Sequence, residues 1–182
     1  MCLIYICYYM EVFLRPIKEA DTDNIVKWRN NPAVRSNLYG QEEITAEMHL
    51  NYFHKVVETG LCHQFVITVV DDGQTKDVGT TFIKNIDKEN RKGEFGIFIG
   101  DNSCRGKGIG KIATEKTVEY AFTTLDMNKV YLTVFANNEK AISCYESAGF
   151  KKCAYYREEI IRNNDALDVV GMELVKREWS SI

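Results

Sequence analysis

Three features of this chain have residue types and spacing suited to chemistry. They are the loop Cys104-Arg105-Gly106-Lys107-Gly108-Ile109-Gly110-Lys111, a tyrosine at position 145 and a glutamate at position 94. In the loop, Gly106, Gly108 and Gly110 alternate with Lys107 and Ile109, directly after a β-rich run from Gly93 to Gly100 and before a helical pattern that starts near Gly110. Glycines leave backbone N–H groups unobstructed and a helix start adds the positive end of its dipole, so the expected guest is an anion, first of all a phosphate. The P-loop pattern is absent, because Lys111 is followed by Ile112 rather than Ser or Thr. The dinucleotide pattern also fails, because the third position after Gly108 is Lys111 and no parallel βαβ unit precedes it. Taken alone, the loop reads equally well as a tight turn.

Tyr145 sits in a short helical pattern with Ala141, Ile142, Ala148 and Gly149. Either it fills the core or its hydroxyl gives a proton to a leaving group. Glu94 lies between Gly93 and Phe95 in a strand, where alternation points it to one face and a solvated carboxylate is its plain reading. Cys144 is the nearest candidate nucleophile, but helical neighbours point about 100° apart, so it is expected to face elsewhere than Tyr145. No Cys–His pair can be assigned, which argues against a covalent enzyme intermediate.

Several elements must position these residues. Val12–Leu14 read as a strand ended by Pro16, followed by a helix through Ile25, Val26 and Trp28 capped by Asp21 or Thr22 and broken at Asn30-Asn31-Pro32. A second helix is predicted from Thr45, with Met48, Tyr52 and Val56 as its apolar face and Leu50, Phe53 and Val57 nearby. Between the two helices, Ser36–Glu43 is polar and turn-rich. It is either a mobile segment lining a substrate entrance or an ordinary connector. Strands over Phe65–Val70, Val78–Ile83 and Gly93–Gly100 form an antiparallel meander. After the glycine loop come a helix of roughly four turns (Ile109 to Leu125), a strand Val130–Ala136 and a short helix Asn138–Ala148 stopped by Gly149. Lys151–Arg162 and Ala166–Val175 flank Asn163-Asn164-Asp165, a hairpin signal that closes the fold.

Composition sets the bounds. A chain of 182 residues without a composition break fits one domain with a sizeable core. A net charge of -3 provides no basic footprint for nucleic acid or an anionic membrane and slightly favours a neutral or cationic substrate. Cys2, Cys7, Cys62, Cys104, Cys144 and Cys153 are scattered, and His49, His54 and His63 complete no metal-ligand pattern. Reduced thiols in a cytoplasmic protein, with no metal, are expected. Residues 1–9 are almost wholly apolar yet too short to span a membrane. They are read as an N-terminal extension, with Met10 as an alternative start.

Arg105-Gly106-Lys107-Gly108-Ile109-Gly110, followed by Asn138-Glu139-Lys140-Ala141-Ile142 and Tyr145-Glu146-Ser147-Ala148-Gly149-Phe150, resembles the GNAT superfamily of N-acetyltransferases over most of the chain. Leu14-Arg15-Pro16, Trp28-Arg29-Asn30 and the closing strands to Trp179 look like the branch that acetylates ribosomal proteins, spermidine and nucleotide amino sugars. The resemblance implies a single α/β domain over residues 10–182, with a mixed, largely antiparallel sheet flanked by helices and a cofactor wedge between two central strands. It implies that the backbone of Arg105, Gly106, Lys107, Gly108, Ile109 and Gly110 grips the pyrophosphate of acetyl-CoA, while main-chain groups of Ile97, Phe98 and Ile99 pair with its pantetheine arm. Asn138 matches a cofactor-side asparagine, Tyr145 the general acid for the departing thiolate, and Glu94 a base that often acts through water. Arg105 stands where many members have glutamine. The implied reaction is acetyl transfer to a primary amine, on a small molecule, an amino sugar or a protein N-terminus, by an enzyme often found as a homodimer or larger assembly. A noncatalytic acyl-CoA-binding or sensory domain is the alternative.

Overall fold

The computed structural model describes residues 10–179, and the apolar segment 1–9 lies outside them. Seven strands form one sheet in the order β1-β2-β3-β4-β5-β7-β6. They are β1 (Glu11–Pro16), β2 (His63–Asp71), β3 (Gln74–Asp87), β4 (Lys92–Ile99), β5 (Lys129–Phe135), β6 (Lys151–Arg162) and β7 (Asp165–Val175). All neighbours are antiparallel except β4 and β5, which are parallel. That parallel pairing covers only Lys92↔Lys129, Gly93↔Val130 and Glu94↔Tyr131. Beyond Glu94 the two strands part and leave a gap through the middle of the sheet.

Helices cover both faces. On one face lie α1 (Thr22–Asn30), α2 (Pro32–Arg35) and α3 (Ala46–Tyr52), the last continued by a wider turn over Phe53–Val57. Ile25, Trp28 and Phe53 pack there against Ile17, Val66 and Phe98. On the other face lie α4 (Ile109–Thr123) and α5 (Glu139–Ser147), with the four-residue α6 (Lys176–Trp179) at the end. The largest core joins Val118, Ala121 and Phe122 of α4 to Phe95, Val130, Leu132 and Met172. Strand alternation then sorts β4: Phe95, Ile97 and Ile99 share the α4 face, whereas Glu94, Gly96 and Phe98 share the α1 face.

Two details depart from the sequence reading. Asp21 precedes α1 but does not cap it through its side chain. A short 3-10 turn over Glu19–Asp21 comes first, so the carboxylate accepts from Lys18 N at 2.8 Å and holds Arg15 through paired bonds of 2.8 and 2.7 Å. In α3 the buried positions are His49 and Phe53, while Met48 and Tyr52 are exposed. The helix packs against α1, where the Thr22 hydroxyl meets His49 Nδ1 at 3.0 Å, and this polar contact rotates the buried face by one residue. The closing hairpin forms as expected. Asn163 and Asn164 both have positive φ (51° and 69°), the conformation a two-residue turn between right-twisted strands requires.

Candidate active site

The gap between β4 and β5 widens into a cleft of about 1040 Å³ that opens on both faces of the sheet. On the α4 face its wall includes Ile97, Ile99, the glycine loop, Asn138 and Tyr145; on the α1 face it includes Phe98, Glu94, Lys84, Tyr39 and Arg29. One cavity therefore brings together residues separated by more than a hundred positions.

Local geometry equips the loop for an anion. Gly106 and Gly108 have φ of 76° and 79°, a left-handed conformation that an L side chain adopts only with strain. Gly108 is the residue from which α4 starts, so the free N–H groups of the first turn follow it directly. At Gly110 a Cβ would sit in ordinary contact with Cys144 Sγ, 3.4 Å away, where α4 and α5 pass each other. Arg105 folds back, donating to Ile99 O (2.9 and 3.2 Å) and Ala33 O (3.4 Å), and so ties the loop to β4 and α2. Gly100 lets α1 dock at the same end of β4: a Cβ there would fall inside the Trp28 side chain.

Among Ile97, Phe98 and Ile99 the main chain alternates. Gly96 O accepts from Thr81 of β3, and Phe98 O lies against Gly79 of β3. By alternation, the peptide edges of Ile97 and Ile99 point into the gap. The Ile97 edge is what an extended, amide-bearing arm would pair with, whereas Ile99 O already accepts from Arg105. Asn138 caps α5, its Oδ1 accepting from Ala141 N at 3.3 Å, and stands on the cleft wall.

Tyr145 projects from α5 between Phe95 and Phe150, with ring centroids 6.0 and 6.1 Å away. Burial pushes its phenol well above the ordinary range, with the neighbouring Cys144 adding to the effect, so it remains a proton donor at neutral pH. Cys144 was expected to face elsewhere. It does pack toward Gly110, yet it lines the same cleft, because the close approach of α4 and α5 turns both residues inward. Burial and then Glu115 push its thiol up, away from the thiolate a nucleophile needs.

Glu94 closes the cleft at the last paired residue of the two strands. Its Oε1 lies 3.2 Å from Lys84 Nζ and its Oε2 accepts from Asn85 Nδ2 at 2.7 Å. Glu94 and Tyr145 thus stand on opposite faces of the sheet.

Residues 11–151 match the acetyltransferase (GNAT) domain model. The chain belongs to the GNAT acetyltransferase family. A spermidine N(1)-acetyltransferase of Vibrio cholerae is 26% identical over 93% of this chain and 95% of its own length. The acetyltransferase PseH of Campylobacter jejuni is 28% identical over 74% of this chain and 79% of its own. The crystal structure of the Vibrio spermidine N-acetyltransferase in complex with CoA and spermine superposes with a TM-score of 0.86 at 25% identity, covering 93% of this chain and 98% of that one. The mixed sheet with its parted central strands is the fold of the family.

Further residues gather at the mouth of the cleft. Tyr39 packs edge-on against Phe135 (5.1 Å between centroids), and the Arg162 guanidinium lies 4.7 Å from the centre of the same ring. The turn-rich segment after α2 lines the entrance through Asn37, Leu38, Tyr39 and Gly40. Side chains hold it by its carbonyls: Arg29 bonds Gly40 O, and Arg162 bonds Ser36 O and Leu38 O, each at 2.7 Å. Polar, turn-rich composition offers Ser36–Glu43 as a segment that could line an entrance, whereas no periodicity or motif marks Arg162. Among the described residues no helix is long and apolar enough to cross a membrane. Cys62, Cys104, Cys144 and Cys153 are free thiols.

Proposed function

We propose that this protein transfers the acetyl group of acetyl-CoA to a primary amine by direct attack within the β4–β5 gap. The observation that carries the reading is the split placement of acid and base. Glu94 stands on the α1 face and Tyr145 on the α4 face of one continuous cleft. An amine entering from the α1 side meets a carboxylate that takes its proton, directly or through a water. The neutral nitrogen then attacks the thioester carbonyl, and the sulfur leaves toward the α4 side, where the Tyr145 hydroxyl protonates or hydrogen-bonds it.

The glycine loop from Arg105 to Gly110 receives the pyrophosphate through backbone N–H groups, with Lys107 exposed beside it. Ile97 and Ile99 turn their peptide edges to the pantetheine amides, Ile99 O being shared with Arg105, and Phe98 between them pairs with Thr80 of β3. Asn138 flanks the same channel. The acceptor is a small-molecule amine, an amino sugar or a protein N-terminus. The spermidine-acetylating relative makes a polyamine one member of that set. The edge strand β6 carries exposed Tyr155 and Tyr156 and offers a surface for a homo-oligomer.

The test is to incubate the purified protein with acetyl-CoA and a panel of polyamines, amino sugars and N-terminal peptides, and to follow thiol release. Turnover on at least one amine is expected. CoA binding without turnover on any acceptor would make the protein a binding or sensory module instead.

A further inference from the structure

The acceptor side of the cleft carries an excess of positive charge. Lys84 sits against Glu94 at 3.2 Å, and Arg35 pairs with Glu43 at 2.6 Å. Arg29 and Arg162 are engaged differently. Every polar contact they make among the described residues is to a neutral carbonyl oxygen of the segment between α2 and α3. Arg29 Nη1 is shut off from solvent with no partner at all. Glu159, exposed on β6, is close enough to act on the Tyr39 phenol, and Glu139 of α5 lines the same cleft beside Asn138.

A guanidinium keeps its charge even when partly desolvated, and an uncompensated cation in a low-dielectric wall acts on whatever enters beside it. Burial and the neighbouring Arg35 both disfavour the charged form of Arg29, the signature of a cation lacking a counter-ion. Aromatic faces at this mouth do not reverse the balance. The ring of Phe135 is already approached by Arg162, and that of Phe82 by Lys84 at 5.7 Å. An acceptor with a second ammonium would place it near the Arg29 guanidinium on the wall and that of Arg162 against the lining Phe135 ring, neither paired with a carboxylate, while Glu94 is already held by Lys84 and Asn85.

We infer that the acceptor is a monoamine whose non-reacting end bears anionic oxygens, a carboxylate or a phosphate, with Arg29 and Arg162 as the residues that set this specificity. The inference rests on the acetyl-transfer reading and narrows its acceptor. It separates this protein from a polyamine acetyltransferase despite the shared fold.

A matched series tests it: 1,4-diaminobutane, 4-amino-1-butanol, 4-aminobutanoate and 4-aminobutyl phosphate share one reacting amine and differ in the charge of the far end. With acetyl-CoA, kcat/KM should be highest for one or both anionic amines and lowest for the diamine, with steps of about tenfold, the size of one charge interaction near a protein surface. The two anionic arms distinguish a carboxylate from a phosphate. Arg29→Gln and Arg162→Gln should each flatten the series. Arg29→Lys, which keeps the charge, should preserve the order, an outcome that mere loosening of the entrance segment would not produce.

Calorimetric titration of the same four amines into the CoA complex gives a readout that does not need turnover. If no amine is acetylated but an anionic one binds best, the transfer reading fails and the specificity stands. A diamine that is the best substrate or the tightest ligand would overturn the inference. So would a series unchanged in both glutamine variants, or the absence of binding by all four amines.

Discussion

The two faces of the β4–β5 gap are built in different ways. On the α4 face the working parts are main chain: left-handed glycines, the first turn of α4 and the gap-facing edges of Ile97 and Ile99, backed by a closed apolar core. Tyr145 is its one reactive side chain apart from the inert Cys144, and it is held by Phe95 and Phe150. On the α1 face the working parts are side chains gathered from distant segments: Arg29 from α1, Tyr39 from a connector and Lys84 from β3 on the wall, with Arg162 of β6 set against the lining Phe135 ring. A cofactor common to a whole family suits the first construction. The second can change its guest with a few substitutions and no change of fold.

Substitutions on each face test whether this division is real. Tyr145→Phe removes the proton donor and leaves the ring packing, so kcat should fall by about 10² or more while affinity for acetyl-CoA changes little. Comparing steady-state turnover with CoA titration separates the two, and equal turnover would remove Tyr145 from the acid role. Glu94→Gln keeps the shape and the contact with Asn85 but cannot take a proton. Turnover should drop on the order of tenfold to a hundredfold, with unchanged cofactor binding and partial rescue at higher pH, where the free amine is more abundant. A Glu94→Gln enzyme with the wild-type pH–rate profile would argue against it as base.

Gly108→Ala forces a side chain into φ 79° and should cost about 1–2 kcal/mol in loop conformation. It is expected to raise the KM for acetyl-CoA roughly tenfold with a smaller effect on kcat. An effect confined to the acceptor KM would blur the two faces.

Away from the gap, Asp21→Asn should lower stability by about 2 kcal/mol and leave turnover at 25 °C intact. Burial pushes the Asp21 carboxyl up, but the hydrogen bonds from Arg15 and from Lys18 N outweigh it and hold the group below the ordinary carboxylate value. The sign follows: this stabilisation is present above the unfolded carboxylate pKa and is lost as pH falls through the lower folded one. Thermal melts of both proteins across the acidic range should therefore converge at low pH, and a constant difference would contradict the linkage.

Most of the frame was legible. Strand alternation in the meander, the apolar stripe of α4 and the paired asparagines at 163 and 164 each encode local geometry, and the structure places those elements within a few residues of the expected bounds. The misreadings have physical causes. The Met48, Tyr52 and Val56 spacing is a valid helical stripe, but a buried polar contact between His49 and Thr22 selected the adjacent face. Asp21 is a good capping residue that Arg15 claimed from β1, a partner invisible to local pattern.

By itself the sequence determined the cofactor-facing frame: where the strands, the glycine loop and α5 fall, and that Tyr145 follows Asn138 on the same short helix. These are consequences of backbone preference and short-range spacing, which act between near neighbours along the chain. Only the tertiary structure decided that β4 and β5 part after Glu94, that Glu94 and Tyr145 take opposite faces of the opening, and that Arg29 and Arg162 converge on the segment before α3. Those relations join residues far apart in sequence, and they are set by how the sheet twists and how helices pack across it, for which no local pattern carries a code.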